Sequence, residues 1–291
     1  MIPVPTPKGE GKDYGLALEL LEGRLYARAA HYTTAGKDQS TTGLSSTNVG
    51  KADDRILAAL LAAGLIGQAE FDRRSEVASF GLFDQTSEGY ELQVTANATK
   101  NWRFQVNFAH TQAVENNKLL EWKAWAAQSE KWVSQFNTAG IVTITGSTIA
   151  EEIEVLKDGI REFSETDGLQ KLGNRPYKVS GFTRYGFGSG WLKGAFVGGG
   201  YRYQCENFVG LSNAGRKLYG NSYWYADAMA GYTLSRLPRG RKLSLQLNVS
   251  NIFNQRDPLI TRFSEIGAQM FVFREVLQPP TTWRLTSSVE F

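Results

Sequence analysis

Tyr90-Glu-Leu-Gln-Val-Thr-Ala96, the polar residues 97–101, and Trp102-Arg-Phe-Gln-Val-Asn-Phe108 decide how this chain is read. In the first run Tyr90, Leu92, Val94 and Ala96 alternate with Glu91, Gln93 and Thr95. In the second, Trp102, Phe104, Val106 and Phe108 alternate with Arg103, Gln105 and Asn107. Successive side chains of a strand point to opposite faces, so two such runs about a short polar turn predict a hairpin with one apolar and one polar face. The same period returns at Leu243, Leu245, Leu247 and Val249, and again at Trp283, Leu285, Val289 and Phe291. Weaker versions lie at residues 14–20, 25–33, 177–187, 191–203 and 223–233. The pattern predicts an all-β chain of about nine antiparallel strands, each roughly ten residues long.

The connections alternate between short and long. Residues 21–23, 97–101, 188–190 and 234–240 are tight turns, whereas 34–87, 112–176, 204–222 and 251–281 are long. Short periplasmic turns alternating with long extracellular loops mark an outer-membrane β-barrel. Strands near ten residues fit the roughly 9–11 that a tilted strand needs to cross the hydrocarbon layer, against about 5–6 in soluble domains. The longest uncharged apolar run, residues 56–67, is well short of the roughly 20 residues of a membrane-spanning helix. Composition narrows the class further: 12% aromatic residues, 30 Gly and only 8 Pro exclude a disordered or collagen-like chain. A single cysteine, Cys205, excludes an internal disulfide framework, and two histidines form no zinc-ligand pattern. No metal or cofactor is expected. Net charge is +3 with Lys and Arg spread along the chain, which argues against a nucleic-acid partner.

Two long loops carry helical signals. Thr148 and Glu151 have capping-box spacing, and Ile149, Ile153, Leu156, Ile160 and Phe163 follow at helical intervals. Leu119, Trp122, Trp125, Trp132, Val133 and Phe136 mark a second amphipathic segment, expected to pair with the first as a helical hairpin. Residues 53–65 read as a third, buried helix capped by Asp53 or Asp54.

With the short turns in the periplasm, the first strand descends toward residues 21–23, and the last strand descends toward Phe291. A complete single-chain bacterial barrel normally has an even strand number. The odd count, together with an N-terminus lacking a charged and then apolar leader, predicts that residues 1–291 are the C-terminal portion of a longer barrel. An isolated arc would leave two unpaired edges in lipid, where unsatisfied backbone groups are costly.

Asp227-Ala-Met-Ala-Gly-Tyr232, the strand from Leu243 into Asn251-Ile-Phe-Asn254, and Thr282-Trp-Arg-Leu-Thr-Ser-Ser-Val-Glu-Phe291 together resemble the end of a TonB-dependent outer-membrane receptor. Glu88-Gly-Tyr-Glu-Leu-Gln-Val94 and Asn101-Trp-Arg-Phe-Gln-Val-Asn107 resemble an earlier hairpin of that family. The resemblance implies a barrel of about 22 strands filled by a plug domain, with this chain as its closing strands and the plug and coupling box missing. It implies energy-coupled uptake of a scarce ligand, such as a ferric siderophore, a corrin or a glycan, driven by the TonB energy-transducing complex through the missing plug. It also implies that the C-terminal Phe291 is the insertion signal read by the barrel-assembly machinery.

The polar strand faces, with Glu91, Arg103, Arg184 and Asp227, are expected to line the lumen; wall solvation alone accounts for most residues of this kind. Trp102, Trp191, Tyr203, Trp224, Tyr232 and Trp283 are expected in interfacial girdles. Loop cations Arg216, Lys217, Arg256, Arg262 and Arg274 are candidates for binding anionic groups of a small-molecule or metal-chelate ligand, although loop cations also serve lipopolysaccharide contact or plain solvation. His31 and His110 read as rim residues, Cys205 as a passive thiol, and the glycine runs 186–190 and 198–200 as turn or wall glycines lacking the strand-to-helix context of a phosphate loop. No constellation of acid, base and nucleophile suggests an enzyme. The expectation is thus a receptor and transporter of a Gram-negative outer membrane, in contact with its lipid. A passive porin or structural barrel and a soluble all-β carbohydrate-binding protein stand as rivals.

Overall fold

Alternation of apolar and polar side chains commits the backbone to extended pairs, because only a sheet gives one face to each class. The computed structural model describes residues 5–42, 48–75, 80–234, 242–267 and 269–290. In chain order, β1 (Lys8–Leu20) and β2 (Leu25–Thr42) are followed by α1 (Asn48–Ala62) and α2 (Gln68–Ser75). Next come β3 (Phe80–Asn97), β4 (Trp102–Asn116), α3 (Leu120–Val133), α4 (Ile149–Ser164) and the short β5 (Leu169–Gln170). Then β6 (Tyr177–Gly186), β7 (Ala195–Gln204), β8 (Phe208–Leu211), β9 (Lys217–Tyr219) and β10 (Tyr223–Leu234) lead to β11 (Lys242–Ser250), β12 (Leu259–Ile266), β13 (Gln269–Val276) and β14 (Thr282–Glu290).

The main sheet runs β1-β2-β3-β4-β6-β7-β10-β11-β14, with β5 beside β4. Among the described residues this path has nine strands and is open, with β1 and β14 at its ends. The registers from β4 to β14 are antiparallel. Two separate hairpins, β8–β9 and β12–β13, occupy the connections that follow β7 and β11.

Several expectations are corrected. The first four strands overrun their predicted ends: β2 reaches Thr42, β3 begins at Phe80 and β4 reaches Asn116, which shortens the loops. These extensions break the alternation, since residues 34–42 are almost all polar and the adjacent Leu82 and Phe83 depart from the period of two. β7 begins at Ala195, not Trp191. Gly190 and Gly194 take left-handed conformations (φ 67° and 93°), and Trp191 sits in the turn, 88% exposed. Helix α1 starts at Asn48, so Asp53 and Asp54 lie within it and do not cap it. The turn at residues 234–240 falls largely outside the described residues, as does Phe291.

The chain divides into two units. Unit 1 comprises Met1–Gly11, Thr34–Thr86 and Ala113–Gln170. Its core is helical. Leu156 and Ile160 of α4 join Val49 of α1 and Trp122 of α3, whereas Ile149 packs with Ile56 and Leu60 of α1. The expected hairpin of α3 and α4 is therefore a three-helix cluster in which α1 takes much of the stripe of α4. The capping box is present: Thr148 Oγ1 accepts from the Glu151 amide at 3.2 Å, and the Glu151 carboxylate accepts from the Thr148 amide at 2.7 Å. Buried Glu152 receives a two-pronged contact from Arg55 at 2.9 and 2.7 Å. Burial alone would raise the pKa of Glu152, but Arg55 and the hydroxyls of Thr145 and Thr143 more than offset it, and the net shift is downward.

Unit 2 comprises Lys12–Thr33, Ser87–Gln112 and Lys171–Phe291, and it holds most of the strand wall.

Candidate functional site

Residues directly opposite in an antiparallel pair share a face, so the registers sort the wall into two surfaces. One carries Trp102, Phe104, Val106 and Phe108 on β4, Val179 on β6, Val197 on β7, Ala226, Ala228 and Ala230 on β10, Leu245 and Leu247 on β11, and Leu285 on β14. Large side chains on this face stand open: Leu285 is 73% exposed, and Leu245, Val106 and Val197 are exposed too.

Aromatic side chains border the apolar face in two bands. Trp102 and His110 on β4, Tyr185 and Tyr177 on β6, and Tyr232 and Trp224 on β10 are in each case eight residues apart. At the strand rise of about 3.3–3.4 Å per residue this separation is about 27 Å. At the loop end rings pair across strands, His31 with Tyr90 at 4.7 Å between centroids, Tyr90 with His110 at 6.4 Å and His110 with Tyr177 at 4.7 Å, and Phe253, in the turn after β11, lies 5.6 Å from Trp224. Tyr203 lies opposite Trp224, and Trp283 opposite Val249. At the turn end Trp102 lies opposite Tyr185, and its indole donates to Thr183 Oγ1 at 2.8 Å. Of the six aromatics expected in girdles, all but Trp191 lie in these bands.

The other surface is polar. Arg103, Arg184 and Asp227 all fall on it by register, together with Gln105, Asn107, Ser180, Arg202 and Gln246. Glu91 follows by parity, because Tyr90 stacks on His110 of the apolar face and Glu91 points the opposite way. Asp227 is engaged twice: Arg202 donates to Oδ2 at 2.6 Å, and the Asn251 amide donates to Oδ1 at 2.9 Å. Sequence reasoning named Asp227 but not Arg202, although strand parity alone places Arg202 on the polar face.

Above the wall, two polar clips organise the loops of unit 2. Asn251, 3% exposed and left-handed at φ 53°, donates through Nδ2 to the carbonyls of Gln255 and Pro279 at 2.9 and 3.0 Å. Its Oδ1 accepts from the Gln255 amide at 2.9 Å, and the bond to Pro279 ties the start of the connection at residues 251–281 to its end. The second clip is Arg175. Its guanidinium donates to the carbonyls of Cys205 and Asn221 and to Asn207 Oδ1, and lies over the Tyr223 ring at 4.9 Å. Burial lowers its pKa from the usual arginine range. The Cys205 Sγ accepts from the Tyr177 amide at 3.1 Å. No sequence signal separated Arg175 from the other cations, because its partners are backbone carbonyls distant in sequence.

The five loop cations divide. Arg262 and Arg274 are direct cross-strand partners on the β12–β13 hairpin, and both are exposed. Arg216 and Lys217 are exposed on the separate β8–β9 hairpin. The two hairpins meet where Glu265 accepts from the Asn213 amide at 2.7 Å. Arg256 stands apart, exposed in the loop before β12. Among the described residues no cluster of His, Cys, Asp and Glu has metal-binding geometry.

Residues 7–252 match the protein-family model described as TonB dependent receptor-like, beta-barrel. No curated protein matches the chain. Among solved structures, it is similar to the ferric preacinetobactin receptor BauA from Acinetobacter baumannii, with 11% identity and a TM-score of 0.53. It is also similar to the pyoverdine outer membrane receptor FpvA from Pseudomonas aeruginosa (17%, 0.51) and the ferric-catecholate import receptor Fiu from E. coli K12 (18%, 0.50). Each likeness covers 97% of this chain but only 29%, 30% and 27% of the respective receptor, so the chain spans less than a third of their length. At these identities the likeness concerns the fold.

Proposed function

The chain belongs to the TonB-dependent receptor β-barrel family, and from that premise we propose that residues 1–291 form the C-terminal portion of an outer-membrane receptor wall serving energy-coupled ligand uptake. The observation that carries this reading is the pair of aromatic bands about 27 Å apart flanking an open apolar face. At the barrel strand tilt of about 35–45° that separation along the strand projects to about 20 Å on the membrane normal, and the long aromatic side chains reaching beyond it bring the bands to the edges of the roughly 25 Å apolar belt of a transmembrane barrel. In a soluble protein the same face would need a covering layer, yet its leucines and valines are exposed. The sheet ends support the partial-wall reading: among the described residues the path is open, with β1 and β14 at its two ends and not paired to each other.

In this reading the apolar face meets lipid, and the polar face with Glu91, Arg103, Arg184 and Asp227 lines the lumen. The loops bearing Arg216, Lys217, Arg256, Arg262 and Arg274 lie outside the cell. Receptors of like fold are named for ferric preacinetobactin, pyoverdine and ferric catecholate, and we assign this chain a ligand of the same class, a ferric chelate. Of the loop cations, Arg262 and Arg274 are placed best to hold its anionic groups together. Coupling to the TonB complex belongs to a plug outside residues 1–291, and Phe291 is the segment presented to the assembly machinery. Fractionation tests the reading. The full-length protein should sediment with outer membranes, require detergent for extraction and migrate differently on gels when unheated; recovery in the soluble fraction would overturn it.

A further inference from the structure

Arg103 and Arg184 stand directly opposite one another on the polar face. Like charges in that position repel. From β4 to β14 their row continues through Gly198, Met229 and Asn248 to Arg284, and these six positions hold three arginines and no carboxylate. Among the described residues neither Arg103 nor Arg184 has an ion pair or a side-chain hydrogen bond, whereas Arg202, farther toward the loops, is engaged by Asp227.

Arg184 is nevertheless held in place. Its guanidinium carbon sits 4.1 Å from the centre of the Phe196 ring. Phe196 is a bulky apolar residue on the polar face, only 5% exposed. It fits there because its cross-strand neighbour is Gly231, where an added Cβ would lie 2.3 Å from the Phe196 ring. Gly198, beside Arg184, is equally bare, since a Cβ there would fall 2.5 Å from the Thr183 carbonyl. Glycine therefore lets the ring lie against the wall, and the ring gives the guanidinium a flat seat. A guanidinium stacked by its face keeps its N–H donors in plane at the edge, the geometry that grips an oxyanion in two-pronged fashion. The seat also removes much of the side-chain entropy that binding would otherwise cost.

We propose that Arg184 and Arg103 form an oxyanion-binding site on the wall, taking a carboxylate or phosphate group. That the site faces the lumen rests on the barrel reading above. The anion has two possible sources with the same chemistry: a soluble anionic solute entering the lumen, or an acidic side chain of polypeptide lodged inside the barrel.

The test uses the full-length receptor purified in detergent from outer membranes, with citrate as the soluble probe. The variants are Arg103→Ala, Arg184→Ala and Arg184→Lys, with Lys131→Ala, at an exposed position of α3, as a control. If the anion is a solute, calorimetry shows citrate binding to wild type and to Lys131→Ala. Binding weakens about tenfold or more in either alanine variant, the effect of losing a charge-assisted hydrogen bond, and only partly in Arg184→Lys. If the anion is an internal carboxylate, citrate does not bind, but Arg103→Ala, which disturbs no ring, lowers the thermal midpoint. The double alanine variant then loses less than the two single losses combined, because both arginines serve one acid. Absence of citrate binding together with a wild-type midpoint for Arg103→Ala would overturn the site, as would citrate binding unchanged in all variants. Recovery of the variants from outer membranes is scored separately, so a failure of the barrel reading is not confused with a failure of the site.

Discussion

Replacing Asn251 with alanine should unlatch the connection between β11 and β14. Three partners lose their bonds: the Gln255 amide, the Gln255 carbonyl and the Pro279 carbonyl. Gln255 is half-buried and Pro279 exposed, so each loss belongs at the low end of the range for an unpaired group, about 1 kcal/mol. Alanine must also adopt φ near 53°, which asparagine tolerates, at roughly 1 kcal/mol more. The expected loss for Asn251→Ala is about 4 kcal/mol. Asn251→Gly loses the same bonds without the conformational strain and should be about 1 kcal/mol more stable than the alanine variant. The assay is denaturant unfolding of the full-length receptor in phospholipid vesicles, followed by tryptophan fluorescence. An alanine variant within about 0.5 kcal/mol of wild type, or a glycine variant less stable than alanine, would refute the reasoning.

Asp53 sits inside unit 1 with its pKa raised to about 6 by burial, which outweighs the hydrogen bond from the Trp125 indole at 3.0 Å. Between the ordinary aspartate value and about 6 the folded state keeps a proton that the unfolded chain has lost, so stability falls as pH rises through that window, by up to about 3 kcal/mol. Hydrogen-exchange protection of α1 should therefore decline from pH 4 to pH 6.5, and Asp53→Asn should flatten the decline. Glu152→Gln should cost roughly 3 kcal/mol in α4 protection by leaving Arg55 half-buried and unpaired, whereas joint replacement of Arg55 and Glu152 by leucine should cost far less. Gly231→Ala should destabilise the wall by about 1–3 kcal/mol through its clash with Phe196 and the Leu245 carbonyl. Combining it with Phe196→Ala should give a smaller loss than the two changes predict together, read from the same unfolding curves.

Strand alternation was the most legible feature, and it was legible because the two faces of this wall meet unlike surroundings. Parity alone put Arg103, Arg184 and Asp227 on one surface and Trp102, Trp224, Tyr232 and Trp283 on the other. Where apolar residues do not alternate the signal disappears: β13 carries the unbroken run Met270-Phe-Val-Phe273, and neither β12–β13 nor the far ends of β2 and β3 announced themselves. Helix α2 escaped notice because none of its residues is buried. The capping box at Thr148 is a local device and was read correctly. The Asp53 cap was not, because the helix begins five residues earlier with no comparable signal. Long-range partnerships lay beyond any pattern. The Asn251-Ile-Phe-Asn254 motif carried the family resemblance, but the reason for its first asparagine, a latch onto Pro279, exists only once β14 is in place. The same holds for Arg184, whose seat depends on Phe196 and Gly231 from two further strands.

The most direct test places single nitroxide labels at residues 243 to 249 of β11 in the full-length receptor reconstituted into phospholipid vesicles, and measures their collision rates with molecular oxygen and with a water-soluble nickel complex. Labels at Leu243, Leu245, Leu247 and Val249 should report high oxygen and low nickel contact, and those at Ser244, Gln246 and Asn248 the reverse. Equal shielding of the odd positions from both reagents would mean that protein, and not hydrocarbon, covers that face.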